Sequence, residues 1–271
     1  VASVRAYRKK WLRWHRSYEK RAYKQLIKTF RSWARGIDFE FMTESNYSRL
    51  IDEAIKRDQL FKNLEDIYTY VGLKHGERVG KGINRQVKLF SLEDFASVYL
   101  EDIINWLLDQ GSRKVTTIEE TYRNDLNNII TKWLQEGKSI NEVARDIEKL
   151  VNRPDFYRWQ AERIARTETT AAANNAAMMA GEISGFVTNK VWISAQDSRT
   201  RRLPEDVYDH LNMDEVQVGL SELFNVPGKE GPDALLYPGD PDGQAGNVIN
   251  CRCTIAVVPA TDRYGNFIET S

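Results

Sequence analysis

The stretch DFYRWQAERIARTETTAAANNAAMMAGE, residues 155–182, decides how the rest of the chain is read. It is rich in alanine and glutamate, Pro154 suits the first turn of a helix, and Gly181 and Gly185 close it, so one long helix is expected. The small side chains Ala171, Ala172, Ala173, Ala176 and Ala177 leave room for another element to come close. In the middle stands Arg166-Thr167-Glu168-Thr169-Thr170, a poor helix sequence. Such residues are tolerated where they bond to neighbouring loops, and Arg166 and Glu168 are expected to anchor the helix to the loop around Asp197.

Upstream of this helix, the chain is helical in period. Tyr23, Leu26, Ile27, Phe30 and Trp33 share one face before Gly36. Further faces are marked by Leu50, Ile51 and Ala54, by Leu64, Ile67, Tyr68 and Val71, by Tyr99, Ile103 and Trp106 ending near Gly111, and by Tyr122, Leu126 and Ile130 ending at Gly137. The cluster Gly72, Gly76, Gly80 and Gly82 predicts a break or loop. Ser139 followed by Glu142 reads as a capping box that starts another helix.

Downstream, the character changes. Of the seven prolines only Pro154 precedes Gly185, and strands are expected at 187–193, weakly at 216–218, and most strongly at 248–258. The fold class is therefore α+β: a long-helix N-terminal part followed by a small, loop-rich α+β C-terminal domain. The expected domains are 1–153, a basic helical arm and helical region, and 154–271, with the long helix as the junction.

Net charge is zero, but residues 1–35 carry twelve Lys or Arg and one acid, Glu19, which is +11 (12 minus 1). Residues 36–271 carry the other 27 bases and 38 acids, which is −11. That asymmetry points to a polyanion or an acidic partner surface at one end. Arg5, Arg8, Lys9, Lys10, Arg13, Arg16, Lys20, Arg21 and Lys24, interleaved with Trp11 and Trp14, are the candidate contact residues, since bases neutralise phosphates and aromatic rings stack. A membrane surface, since Trp with Arg suits an interface, and a solvated face whose aromatic residues enter the protein's own core are the other readings. No stretch approaches the roughly 20 apolar residues of a membrane span, and no apolar run follows the basic start. The two cysteines give no sign of an oxidising compartment, so an intracellular origin is expected.

An ordered set of short motifs runs through the second half. It comprises Arg163-Ile164-Ala165-Arg166-Thr167-Glu168, Val191-Trp192-Ile193, Asp197-Ser198-Arg199-Thr200-Arg201, His210, Phe224, Leu236-Tyr237-Pro238-Gly239-Asp240-Pro241, and Ile249-Asn250-Cys251-Arg252-Cys253-Thr254. In this order, over residues 155–258, the set resembles the C-terminal domain of phage minor head proteins related to protein F of phage Mu. The family's histidine usually follows the second arginine closely, whereas here residues 202–209 intervene. The resemblance implies a minor head protein of a tailed phage, assembled in the host cytoplasm and residing in the virion. Its implied partners are the portal protein, capsid or scaffold proteins, and genomic double-stranded DNA, with no membrane. It implies no enzyme. A nucleic-acid-processing or ADP-ribosyl-transferring enzyme carried in the head is the alternative, and a toxin effector a third class.

Two chemistries are open in the second half. Cys251 and Cys253, alternating on the expected strand, would present both thiols on one face. With His210, and Asp197 or Asp240, they would supply zinc ligands; otherwise they are small buried hydrophobes and the protein has no cofactor. Arg166, Glu168, Asp197, Arg199, Arg201, His210 and Asp240 either converge as acid–base and phosphate-binding groups or form a structural network. In the network, Arg199 and Arg201 would pair with Asp197 and Glu168.

Overall fold

The computed structural model describes residues 4–87 and 91–270. The helices are α1 (Val4–Arg35), α2 (Tyr47–Ala54), α3 (Arg57–Val87), α4 (Leu92–Trp106), α5 (Ser112–Gln135), α6 (Ile140–Val151), α7 (Arg158–Glu182) and the single turn α8 (Ala245–Val248). The strands are β1 (Thr188–Ile193), β2 (Gln217–Gly219), β3 (Phe224–Val226), β4 (Asp233–Leu235) and β5 (Thr254–Pro259). Long helices precede a few short antiparallel strands, so the fold is α+β, as the sequence indicates.

Where the sequence suggests one cut at 153/154, contacts group the chain into two compact units, each discontinuous. One unit is Val1–Arg21, Asp66–Ile103 and Arg163–Ser271; the other is Ala22–Glu65 and Ile104–Glu162.

The second unit is all helical. Its centre is aromatic: the Phe30, Trp33, Tyr122 and Tyr157 rings lie within 5.1–6.0 Å of one another in five of their pairings. The Tyr122 and Tyr157 hydroxyls meet at 3.1 Å, so neither is left unbonded in the core. The capping box at α6 is formed. The Ser139 amide donates to the Glu142 carboxylate at 2.9 Å and the Glu142 amide to the Ser139 hydroxyl at 3.4 Å. The helix expected to stop near Gly111 instead continues through a five-residue π turn, Leu107–Gly111, into α5.

In the first unit, α3 runs unbroken through the glycine cluster where a break is expected. Gly72 and Gly76 are there for approach rather than for turning. A Cβ on Gly72 would lie 1.8 Å from the Tyr99 hydroxyl, and one on Gly76 1.9 Å from Cζ of Phe95. Both α4 rings, stacked 5.5 Å apart and buried, lie directly on the α3 backbone. The entropic cost of helical glycine is thereby offset by ring burial. Gly76→Ala should destabilise the first unit by about 1–3 kcal/mol, the usual range for overpacking, in chemical denaturation. Gly82→Ala, with open space around the new methyl, should be neutral or slightly stabilising. Equal effects at the two positions would remove this account.

The three-stranded sheet has order β2-β1-β5, all antiparallel, with Trp192 opposite Ile255 and Ile193 opposite Thr254. β3 and β4 pair separately. The strand expected over 248–258 is confined to β5; residues 245–248 form α8, and 249–253 are irregular, with Asn250 at φ 62°.

Candidate functional site

Because Asn250-Cys251-Arg252-Cys253 is not in a strand, its backbone must find partners elsewhere. Helix α7 supplies most of them. The Asn250 amide donates to the Thr167 hydroxyl at 3.0 Å, the Thr170 hydroxyl donates to the Cys251 carbonyl at 2.7 Å, and the Asn174 amide group donates to the Cys253 carbonyl at 3.2 Å. Residues 167, 170 and 174 fall at i, i+3 and i+7, one helix face. The fourth partner comes from α1, whose Trp11 indole donates to the Arg252 carbonyl at 2.7 Å. The polar middle of α7 is thus a rack for the cysteine motif.

Asn174, fully buried, is the most committed of these groups. Its amide group also donates to the Pro238 carbonyl at 2.7 Å, and its Oδ1 accepts from the Thr254 hydroxyl at 2.9 Å and the Ile255 amide at 3.1 Å. It joins the Tyr237–Asp240 turn to the start of β5. In that turn Asp240 accepts from the amides of Leu236 (2.7 Å) and Asp242 (3.2 Å), while burial raises its carboxyl above the usual range. Gly239, at φ 82°, lies close against α7: a Cβ there would be 3.1 Å from the Thr170 methyl.

The charged residues do not pair as the sequence suggests. Arg166 donates to Glu19 at 2.7 Å and to the Asn250 side chain at 2.9 Å, and the Glu168 carboxylate accepts from the Tyr68 hydroxyl at 2.9 Å. The α7 anchor therefore runs to α1, to the Asn250 turn and to α3. Asp197 is held by both Arg252 guanidinium nitrogens, one at 2.6 Å. Partial burial would raise its carboxyl, but Arg252 and the Arg199 amide hold it below the usual carboxylate range. Arg199 meets Asp197 through its backbone amide, and Arg201 bonds the Ile249 carbonyl and pairs weakly with Asp206 at 3.7 Å. Arg252, Asn174, Thr170 and Trp11 carry the network, although sequence reading gave none of them that role. Asn174-Asn175 inside an alanine run was the available signal.

His210 is 2% exposed and sits between two kinds of partner. Its Nε2 is 2.9 Å from Oδ1 of Asn247, whose Nδ2 donates to Asp233 (3.0 Å) and to the Pro227 carbonyl (3.2 Å). With that amide oriented by its acceptors, its Oδ1 faces Nε2, and Nδ1 is turned toward the cysteines. Nδ1 lies 3.6 Å from the Cys251 sulfur and 3.5 Å from the Cys253 sulfur, both cysteines being buried and free of disulfide. The thiols converge although the expected strand is absent, because the irregular segment folds them toward the same ring. Asp197 and Asp240, considered as further ligands, are engaged elsewhere; among the described residues the metal-competent cluster is His210, Cys251 and Cys253.

On α1, the candidate contact residues divide. Trp11 is fully buried, and Arg8 donates to the Ser194 carbonyl at 2.9 Å and to Asp214 at 2.6 Å, so both are internal. Arg78 covers the Trp14 ring at 4.8 Å, and Arg21 stacks 4.0 Å over Tyr70. Arg5, Lys9, Lys10, Arg13, Arg16, Lys20 and Lys24 are exposed and, among the described residues, in no ion pair. No helix is long and apolar enough to cross a membrane.

Residues 124–256 match the family model described as phage Mu protein F like protein. Over that stretch the chain is similar to this family, which supports the resemblance to phage head-morphogenesis proteins. The match starts within α5, earlier than residue 155, and ends inside β5. No curated protein and no solved structure matches the chain.

Proposed function

We propose that the protein is a minor structural component of a tailed-phage head, acting in assembly at or near the portal vertex, with an exposed face of α1 laid against packaged double-stranded DNA. The family match supports the head assignment. The observation that carries the DNA contact is the placement of bases on α1. Arg5, Lys9, Arg13, Arg16 and Lys20 recur every three or four residues, within an arc of about 80° at the helical turn angle. The buried Trp11, His15 and Tyr18 occupy the opposite side. The helix is thus fixed by one face and cationic on the other, a rigid row rather than a loose arm. The acidic surface of a portal protein is the other partner such a row fits, and capsid or scaffold proteins complete the assembly in this reading.

Binding to duplex DNA should fall steeply with salt. If all five bases meet phosphates, the slope of log K against log salt is about −4.5, at roughly 0.9 per phosphate. Replacing Lys9, Arg13 and Arg16 by glutamine should flatten it by about 2.7. A weak, salt-insensitive interaction in fluorescence anisotropy would rule out the DNA contact and turn the row toward the portal. Cryo-electron microscopy of the virion tests the vertex directly.

A further inference from the structure

We propose that His210, Cys251 and Cys253 form a zinc site that staples the loop-rich end of the first unit. Three donor atoms converge, all within 4.8 Å of one another, His210 lying 41 and 43 positions before the two cysteines along the chain. Zinc bonded tetrahedrally to nitrogen at ~2.0–2.1 Å and sulfur at ~2.3 Å separates those two atoms by about 3.6 Å. The observed separations are 3.6 and 3.5 Å.

Hydrogen bonding alone accounts less well for the arrangement. Nδ1 offers a single hydrogen-bonding position and faces two sulfurs at nearly equal distance. The surroundings treat the sulfurs as acceptors. The Cys253 amide donates to the Cys251 sulfur at 3.4 Å, and the Ala195 amide bears on the Cys253 sulfur. The Trp192 indole N–H is fully buried with no acceptor in hydrogen-bond range, and its ring packs against His210 at 5.5 Å.

The remaining ring nitrogen is tied through Asn247 to Asp233, the outer support that orients a metal-bound histidine. The protein ligands among the described residues number three, so a water molecule takes the fourth position. Bound there, the ion would join the loop after β1 to the segment entering β5, and through Asn247 to α8 and β4.

The full chain, purified without a metal-affinity step, should hold about one zinc per chain by plasma mass spectrometry. Exchange for cobalt should give a thiolate-to-cobalt charge-transfer band in the near ultraviolet and the strong visible bands of a tetrahedral ion. Cys253→Ser should lose both the stoichiometric zinc and the charge-transfer band. Should that variant fail to fold, the wild-type cobalt spectrum decides alone. A folded, metal-free wild type in which added cobalt produces no charge-transfer band overturns the proposal.

Discussion

Asn174→Ala should destabilise the first unit by about 3 kcal/mol or more, among the largest effects of any single truncation there. The deleted amide serves the Pro238 and Cys253 carbonyls, the Thr254 hydroxyl and the Ile255 amide. Each buried group left without a partner costs about 1–3 kcal/mol, and the Thr254 hydroxyl alone has a second, weaker acceptor at 3.4 Å, the Ile255 carbonyl. The neighbouring Asn175→Ala gives the contrast. Its amide has a single long bond, 3.5 Å to the Tyr237 hydroxyl, and should cost under about 1 kcal/mol. Urea titration of both variants measures the difference. A loss below about 1 kcal/mol at Asn174 would mean that water or a local shift replaces the pin.

Acid should weaken the first unit well before its carboxylates titrate. His15 and His75 are both fully buried and are pushed down from 6.5 to about 3, in each case chiefly by burial. Arg252, Arg166 and Arg199 add to the shift at His15, and Arg78 and His15 itself add to it at His75. Glu19 lies 3.7 Å from His15 but gives its closer bond, 2.7 Å, to Arg166, and so does not reverse the effect. The Thr170 hydroxyl spends its proton on the Cys251 carbonyl, so the His15 Nε2 at 2.9 Å is the donor to it. The unfolded chain takes up protons near pH 6.5 and the folded one does not, so stability falls as pH drops from 6.5 toward 3. At pH 5 the loss is about 2 kcal/mol per histidine. His75 contacts the Trp11, Trp14 and Tyr18 rings and neither of its ring nitrogens has a hydrogen-bond partner. His75→Phe should therefore remove roughly half of the slope between pH 7.5 and 5. An unchanged slope would show that these rings accept protons in place.

Helical periodicity made most helices legible, and the run from Pro154 to Gly185 announced α7 before any coordinates. What failed were features set by distant partners. Gly72 and Gly76 look like punctuation until the Tyr99 and Phe95 rings are laid on them. The β-branched run near the C-terminus suggested one long strand, whereas Asn250–Cys253 is held by side chains 79 to 241 positions away. Arg8 and Trp11 read as contact residues because charge and aromaticity mark a surface equally well when the facing element is unknown. The cysteines and His210 were singled out from sequence, but their meeting depends on Asn247 and an irregular segment that carries no periodic signal.

The bond from Trp11 to the Arg252 carbonyl spans 241 residues. At a synthesis rate of roughly 5–20 residues per second, the partner of that indole leaves the ribosome roughly 12–50 s after the tryptophan does. During that interval the Trp11 indole N–H lacks its native acceptor, beside a dense row of positive charge. The first unit completes this bond only after residue 252 has been made, so a partner that shields the first helix in the meantime would alter yield without touching any contact of the finished molecule.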